Sequence, residues 1–132
     1  MNRQIKFRVW DNKNGGFLQR HLNEYAVTGK GRLIVSQTEW YSALENVNPE
    51  DFIIQQFTGL LDKNKKEICE GDIVKFTHKS HEHGDIEEVI AHVLWDSRYG
   101  AWGLGKEEIW YLFSDYGIYT ERMEVIGNIF EH

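Results

Sequence analysis

The densest group of side chains that could bind a metal ion lies at His78, His81 and His83, with Asp85 close behind. Imidazole and carboxylate groups are ordinary zinc ligands, and alternate residues of an extended segment share one side. The same residues also suit a polar loop between two strands, which is the better interpretation because no closely spaced cysteines accompany them. We therefore predict no metal and no cofactor, and keep a metal-dependent enzyme at these histidines as the weaker alternative.

The other titratable side chains offer little for acid–base or nucleophilic catalysis. Glu87–Glu88 and Glu107–Glu108 are neighbours within strand patterns, so the two members of each pair point to opposite faces. His92 also lies in a strand pattern. Cys69, the single cysteine, stands beside Glu70, whose negative charge disfavours a thiolate. We predict that the chain is not an enzyme and that Cys69 is a partly buried apolar side chain.

Large aromatic side chains are concentrated between residues 95 and 111. Small β barrels often use such side chains to recognise other molecules, which makes this stretch a candidate binding region. Most of the rings must nevertheless fill the interior of so small a barrel, and we predict this for Trp95 and Trp102. Tyr99, in a predicted turn, and Trp110 are the binding candidates.

The N-terminal part of the chain is basic. Residues 1–35 hold seven Lys/Arg against two acidic residues, a net of +5, whereas the remaining 97 residues hold eight against nineteen, a net of −11. Arg3, Lys6 and Arg8 could contact nucleic acid while the aromatic rings stack on bases, or they could meet the acidic part of their own or a neighbouring chain. Phosphate contacts dominate nucleic-acid affinity, and the acidic remainder would repel phosphates, so nucleic acid is the disfavoured partner.

The elements that would position these side chains are mainly β strands. Alternating and β-branched segments bounded by turn residues predict strands at 5–10, 17–22, 32–36, 52–57, 73–77, 86–95, 101–104, 109–113 and 125–130. The last five, within about 60 residues, have the size and spacing of an SH3-like barrel. We predict a first part at 1–58, a β hairpin region suited to oligomerisation, and a barrel at 59–132.

One short helix is also predicted in the first part. Trp40, Tyr41, Leu44 and Val47 recur at helical spacing, a Ser or Thr before them could cap the helix, and Asn48–Pro49 would end it.

Composition and length restrict the class of protein further. The 132 residues fit one domain or two small lobes, and an apolar fraction of 41% with five Trp is enough for a packed interior. The N-terminus lacks the apolar region of a signal peptide, and no apolar run approaches the roughly 20 residues of a membrane-spanning helix. We expect a soluble, cytoplasmic protein without a membrane partner.

Three segments resemble the YopX family. They are the opening Arg3–Asp11, the central Phe57–Val74 with its Asp62-Lys63-Asn64 turn, and the closing Glu124–Glu131. The family consists of small proteins encoded by bacteriophages and prophages, chiefly of Gram-positive bacteria. The resemblance implies a mainly β protein with an SH3-like C-terminal part that tends to self-assemble in a bacterial host. It implies no established activity and no catalytic residues.

Three positions in the matching segments carry structural expectations. Asp72 should accept backbone N–H groups at the corner before its strand. Lys65 stands where the family turn usually has Gly, so either Asn64 takes the left-handed conformation or the turn is wider. Gly127 interrupts the last strand, and we expect a ring, Trp102 or Trp110, to approach it closely.

These observations favour a non-enzymatic binding or assembly module. Its partners would be other copies of the chain and a host or phage protein. A nucleic-acid-binding accessory protein that uses the basic N-terminal strand is the alternative.

Overall fold

A computed structural model describes residues 4–18, 25–27, 30, 33–38, 41–46, 50–79, 84, 86–106, 109–112 and 122–131. This part of the chain is mainly β, as predicted, and contains no α-helix. Its strands are β1 (Phe7–Asp11), β2 (Gly16–Phe17), β3 (Tyr25–Val27), β4 (Leu33–Thr38), β5 (Tyr41–Asn46), β6 (Phe52–Leu61), β7 (Glu67–Cys69), β8 (Asp72–Lys79), β9 (Ile86–Asp96), β10 (Ala101–Lys106), β11 (Ile109–Leu112) and β12 (Glu124–Asn128). No helix among these residues is long and apolar enough to cross a membrane.

The chain divides into two compact units, Lys6–Gln56 and Phe57–His132, the second also including Met1–Ile5. The boundary falls inside β6. In the first unit, β1 pairs antiparallel with β2 and with the first half of β6, while β3, β4 and β5 form a separate antiparallel sheet. Leu18 also donates its N–H to the carbonyl of Val9, so the chain after β2 continues alongside β1.

The predicted short helix is wrong. Tyr41 and Leu44, two of the four residues that suggested it, lie in β5, which pairs with β4 through Ser36↔Leu44 and Thr38↔Tyr41. Four apolar positions at helical spacing are too few to outweigh a neighbouring strand whose backbone groups require partners. Trp40 and Val47 lie outside the described residues.

The second unit contains a five-stranded antiparallel sheet in the order β11-β10-β9-β8-β12, and the sheet curls as a half-barrel. Its interior follows from the period-two alternation of β8 and β9, because every second side chain faces the core. Val89, Ala91 and Val93 are buried on β9, whereas Ile90 between them is 48% exposed. The buried core cluster consists of Ile68, Val74, Phe76, Val89, Ala91, Val93, Leu104, Met123 and Val125.

Two buried polar groups fix the corner before β8. The N–H of Cys69 donates to Oδ2 of Asp72 at 2.8 Å, which confirms the expected role of this carboxylate. The N–H of Gly71 donates to the carbonyl of Val93. Cys69 itself is only 5% exposed and therefore behaves as a core side chain.

The turn between β6 and β7 is organised by the carboxylate of Asp62, which is 3% exposed. Its Oδ1 accepts the backbone N–H of Asn64 at 2.8 Å and that of Lys66 at 2.9 Å. The N–H of Asp62 in turn donates to the carbonyl of Lys66 at 2.8 Å. The side chain therefore closes the turn on itself.

The second oxygen of Asp62 ties this turn to β12. Its Oδ2 accepts the N–H of Val125 at 2.9 Å, and the N–H of Lys63 donates to the carbonyl of Met123. Burial alone would raise the pKa of Asp62, but the N–H groups of Val125, Lys66 and Asn64 stabilise the carboxylate, and the pKa lies below its ordinary value. The charged form is the one that the fold requires.

Lys65 takes the left-handed conformation itself, with φ of 66°. The expectation that Asn64 would take it, or that the turn would be wider, is therefore wrong. The N–H groups of Asn64 and Lys66 are both held on Asp62, and this leaves the left-handed position to the residue between them.

The expectation of a ring close to Gly127 is also wrong. A side-chain carbon added at this position would meet nothing within 4 Å. Gly127 pairs with Ile73 next to an irregularity in the β12–β8 register, at which Ile126 is the extra residue. The glycine thus belongs to a bulge that opens towards free space.

Candidate partner-binding surface

The β9–β10 hairpin extends beyond the part of β9 that pairs with β8. Pairing between β8 and β9 runs from Lys79↔Ile86 to Ile73↔His92. Beyond His92, β9 continues to Asp96 and pairs with β10, whose Ala101 lies opposite Asp96. The end of the hairpin therefore presents side chains that β8 does not cover.

Two tryptophans lie directly opposite each other on this extension. Trp95 of β9 pairs with Trp102 of β10, and their ring centres are 5.1 Å apart at 76°, an edge-to-face contact. Such a contact stabilises by about 0.5–1.5 kcal/mol beyond the burial of the two rings. Trp102 is partly buried and packs against the core, whereas Trp95 is 49% exposed. The exposed ring of Trp95 is thus held in place by Trp102, which packs against the core.

The hairpin turn is ordered by Asp96, which is 7% exposed. Its Oδ1 accepts the backbone N–H of Arg98 at 2.9 Å and the side-chain Nε–H at 3.2 Å, and its Oδ2 accepts from Nη2 at 3.0 Å. The carbonyl of Asp96 also accepts the N–H of Tyr99, and Gly100 follows with φ of 60°. This is the pattern of a four-residue hairpin loop built around a β turn.

The pairing of Asp96 with Arg98 has an electrostatic consequence. The hydrogen bond and charge of Arg98 lower the pKa of Asp96, and Asp96 in turn raises the pKa of Arg98. Both groups are charged at neutral pH, and together they carry no net charge. The turn therefore has a fixed shape and a locally compensated charge.

We use the name hairpin surface for Trp95, Arg98, Tyr99 and Trp102. Tyr99 is 65% exposed, and the guanidinium carbon of Arg98 lies 5.6 Å from the centre of its ring. An open hollow of about 300 Å³ adjoins Trp95 and Arg98. It is lined by Leu94, Trp95, Asp96, Ser97 and Arg98.

The prediction that Trp95 fills the core is wrong, although Trp102 does pack against it. Trp95 shares the face of Val93, as the alternation indicates, but lies beyond the end of β8 and is left half-exposed. A comparison of the predicted lengths of β8 and β9 would have indicated that Trp95 lies beyond the end of β8. Tyr99 is exposed as predicted. Trp110 lies in β11 opposite Gly105, and its side chain is outside the described part of the structure.

The basic N-terminal strand is partly engaged in its own unit. Arg8 donates from Nε to Oε1 of buried Gln55 at 2.9 Å, and its guanidinium lies 4.5 Å from the centre of the Phe17 ring. Lys6 is half-buried. Arg3 lies outside the described residues. Lys6 and Arg8 belong to the unit Lys6–Gln56, whereas the hairpin surface belongs to the other unit.

The histidine-rich segment is described only at its start. His78 belongs to β8, while His81 and His83 lie outside the described residues. Within the described part of the chain, no three His, Cys, Asp or Glu side chains form a group that could hold a metal ion. The absence of a zinc site at these histidines stays a prediction.

Comparison with known proteins gives a family and a fold. The family model described as YopX protein matches residues 6–132. The chain belongs to the YopX family. No curated protein matches this YopX chain.

Among solved structures, this YopX chain is similar to protein EF1440 from Enterococcus faecalis, known from a crystal structure. The TM-score is 0.59 at 22% sequence identity, and the match covers 98% of this chain and 96% of that one. At this identity the likeness shows a shared fold alone.

Proposed function

We propose that this YopX-family protein is a non-enzymatic binding module, encoded by a phage or prophage, that engages another protein through the hairpin surface. The observation that carries the proposal is the exposure of Trp95, a 49% exposed ring on the face of the sheet that elsewhere forms the core. Exposing so large an apolar ring to water is unfavourable in the isolated chain, and a partner that covers it recovers that free energy.

The composition of the hairpin surface supports a protein partner. Trp, Tyr and Arg are the residues that most often carry the binding energy of protein–protein interfaces, and the four side chains of this surface are of these three types. The hollow beside them, at about 300 Å³, is at the lower limit of small-molecule pockets and is open. It suits a side chain of a partner better than an enclosed ligand.

The rigidity of the hairpin supports the same conclusion. Trp95 is held by Trp102, and Arg98 by three hydrogen bonds to Asp96. A partner therefore does not have to order these side chains on binding, which removes a cost of about 0.5–1.5 kcal/mol for each mobile side chain.

The observations favour a protein over nucleic acid. The unit Lys6–Gln56 holds six Lys/Arg and six Asp/Glu, so the basic character of residues 1–35 is balanced within that unit. Arg8 is bonded to Gln55 and stacked on Phe17, and Lys13 pairs with Asp51 at 3.1 Å. Neither cation stands alone to contact a phosphate.

The proposal is tested by photo-crosslinking in cells of the natural host. A photoreactive phenylalanine analogue replaces Tyr99, which lies in the same hairpin turn and is 65% exposed, so that Trp95 itself is left unchanged. We expect a discrete protein adduct that disappears when Trp95→Ala is introduced in the same chain.

The matched control places the analogue at Ile90, which is 48% exposed on β9 but away from the turn. It should give no such adduct. The proposal is wrong if position 99 gives no adduct, or if positions 90 and 99 give the same adducts irrespective of Trp95.

A further inference from the structure

We infer that the partner presents a basic peptide segment to the hairpin surface, with a Lys or Arg side chain over the ring of Trp95. This inference rests on the proposed function and adds the chemical class of the ligand. It follows from three features of the second unit, namely its net charge, the compensated Asp96–Arg98 pair and the exposed part of the Trp95 ring.

The net charge of the protein lies in the unit that carries the hairpin. Residues 1–5 and 57–132 hold nine Lys/Arg against fifteen Asp/Glu, a net of −6, whereas the unit Lys6–Gln56 is neutral. Clefts and surfaces of one sign attract ligands of the opposite sign and raise the rate of encounter. A basic segment is therefore drawn towards this unit, and an acidic segment or a phosphate chain is repelled.

The cation on the hairpin surface does not oppose such a ligand. Arg98 forms an ion pair with Asp96 at 3.0 Å in addition to the Nε contact. Its charge is compensated by a carboxylate that is 7% exposed. A second cation can approach the adjoining ring without meeting an isolated positive charge.

Trp95 offers the ring to which a cation binds most strongly. Indole has the most negative face among aromatic side chains, and Lys or Arg groups bind within about 6 Å of its centre. Trp102 makes an edge-to-face contact with this ring, and half of Trp95 remains open to solvent.

The ligand class can be read from a selection experiment. Random-sequence peptides displayed on phage are selected on the immobilised full-length protein and, in parallel, on Trp95→Ala. We expect peptides rich in Lys and Arg whose enrichment is lost on the variant. Peptides that depend on Trp95 but are neutral or acidic overturn the inference and leave the proposed function standing. The absence of any Trp95-dependent peptide contradicts both.

A titration then tests the contact itself. A selected peptide is synthesised in two forms, one with its critical Arg and one with citrulline, an uncharged side chain of the same shape. The affinity of each peptide is measured for the parent protein and for Trp95→Leu. The charge should improve affinity about 2- to 30-fold on the parent, the range of a cation–π contact, and much less on Trp95→Leu. An equal effect of charge on both proteins shows general electrostatic attraction only and overturns the placement over Trp95.

A conservative variant and a remote one complete the comparison. Trp95→Phe keeps an apolar ring whose face attracts a cation less strongly than indole does. The gain in affinity from the Arg charge should therefore be smaller than on the parent and larger than on Trp95→Leu. Ile90→Ala, on the same strand but away from the turn, should bind the peptide like the parent. A Trp95→Phe protein that shows no dependence on the charge of the peptide contradicts the contact.

Discussion

The carboxylate of Asp62 joins two segments of the chain that lie 63 residues apart. The turn that contains it could be predicted, because Asp, Asn and Lys residues cluster between two strand patterns. Its second partner, the N–H of Val125, could not. Turn chemistry is local, whereas the choice of partner across the fold depends on how β12 lies against the turn.

Asp62→Asn should lower the free energy of unfolding by about 2–3 kcal/mol, because an amide nitrogen replaces an oxygen that accepts a buried N–H group. Urea denaturation measures the change. Asp51→Asn is the matched control, since Asp51 pairs with Lys13 at the surface and such pairs contribute about 0–1 kcal/mol. Equal effects of the two substitutions would contradict the role of Asp62.

The pH dependence of stability in the parent and in Asp62→Asn tests whether Asp62 is charged. Because the pKa of Asp62 is lower in the folded chain, its charge contributes stability above the unfolded pKa, and this contribution is lost as pH falls through the folded pKa. Asp96 titrates in the same direction, so the parent alone does not isolate Asp62. The difference in stability between parent and Asp62→Asn should shrink as pH falls below about 5. A difference independent of pH would contradict a charged Asp62.

Lys65→Gly should raise the free energy of unfolding by up to about 1 kcal/mol. A side chain in the left-handed region costs about 1–2 kcal/mol, part of which is offset by the greater freedom of Gly in the unfolded chain. Lys66→Gly, one residue further on and without a positive φ, should instead be neutral or destabilising. Chemical denaturation of both variants decides the point, and a destabilised Lys65→Gly would refute it.

Strand patterns predicted the five-stranded sheet of the second unit well, and in the first unit they predicted β1, β4 and the first half of β6 but missed β3 and β5. From residue 73 onward, alternation of apolar and polar side chains placed β8, β9, β10, β11 and β12 within a few residues of their bounds. In the first unit, β5 was mistaken for a helix because Tyr41 and Leu44 are three residues apart, a spacing that fits one face of a helix and not the alternation of a strand. The pairing with β4 decides between them, and pairing is a non-local property.

The exposed Trp95 shows why the candidate surface was only half predicted. Alternation correctly placed its side chain on the face of Val93, and a ring on the core face was expected to be buried. The exposure of Trp95 depends instead on the point along β9 at which pairing with β8 ends, and the register between the two strands determines that point. Tyr99 could be predicted as exposed, since its turn position follows directly from the residues around it.

At the bulge of β12, Gly127→Val should leave the free energy of unfolding unchanged or raise it by up to about 1 kcal/mol, because Val favours strands and a new side chain meets open space. Gly59→Val is the control. It also meets nothing within 4 Å, but its φ of 89° is strained for any side chain, so it should destabilise. Thermal unfolding of both variants tests this, and a Gly127→Val protein as unstable as Gly59→Val would disprove it.

For the whole molecule, we expect self-association through the first unit that persists when salt is raised. The charge split along the sequence suggests an electrostatic contact between copies, but the unit Lys6–Gln56 is neutral by composition. Light scattering at micromolar protein, across a range of salt, measures the oligomer. A monomer under all conditions would exclude self-association, and an oligomer that dissociates with salt would restore the electrostatic explanation.

The position of Asp62 also affects how the folded molecule behaves towards its neighbours in a concentrated solution. A β sheet ends in a strand whose outer N–H and C=O groups invite strand addition by another chain, the first step of aggregation. At β12 the outer N–H of Val125 is bonded to Asp62, and the carbonyl of Met123, next to the strand, is bonded to Lys63. The turn between β6 and β7 therefore occupies backbone groups at this edge of the sheet, and the buried carboxylate of Asp62 hinders the addition of a strand from another chain.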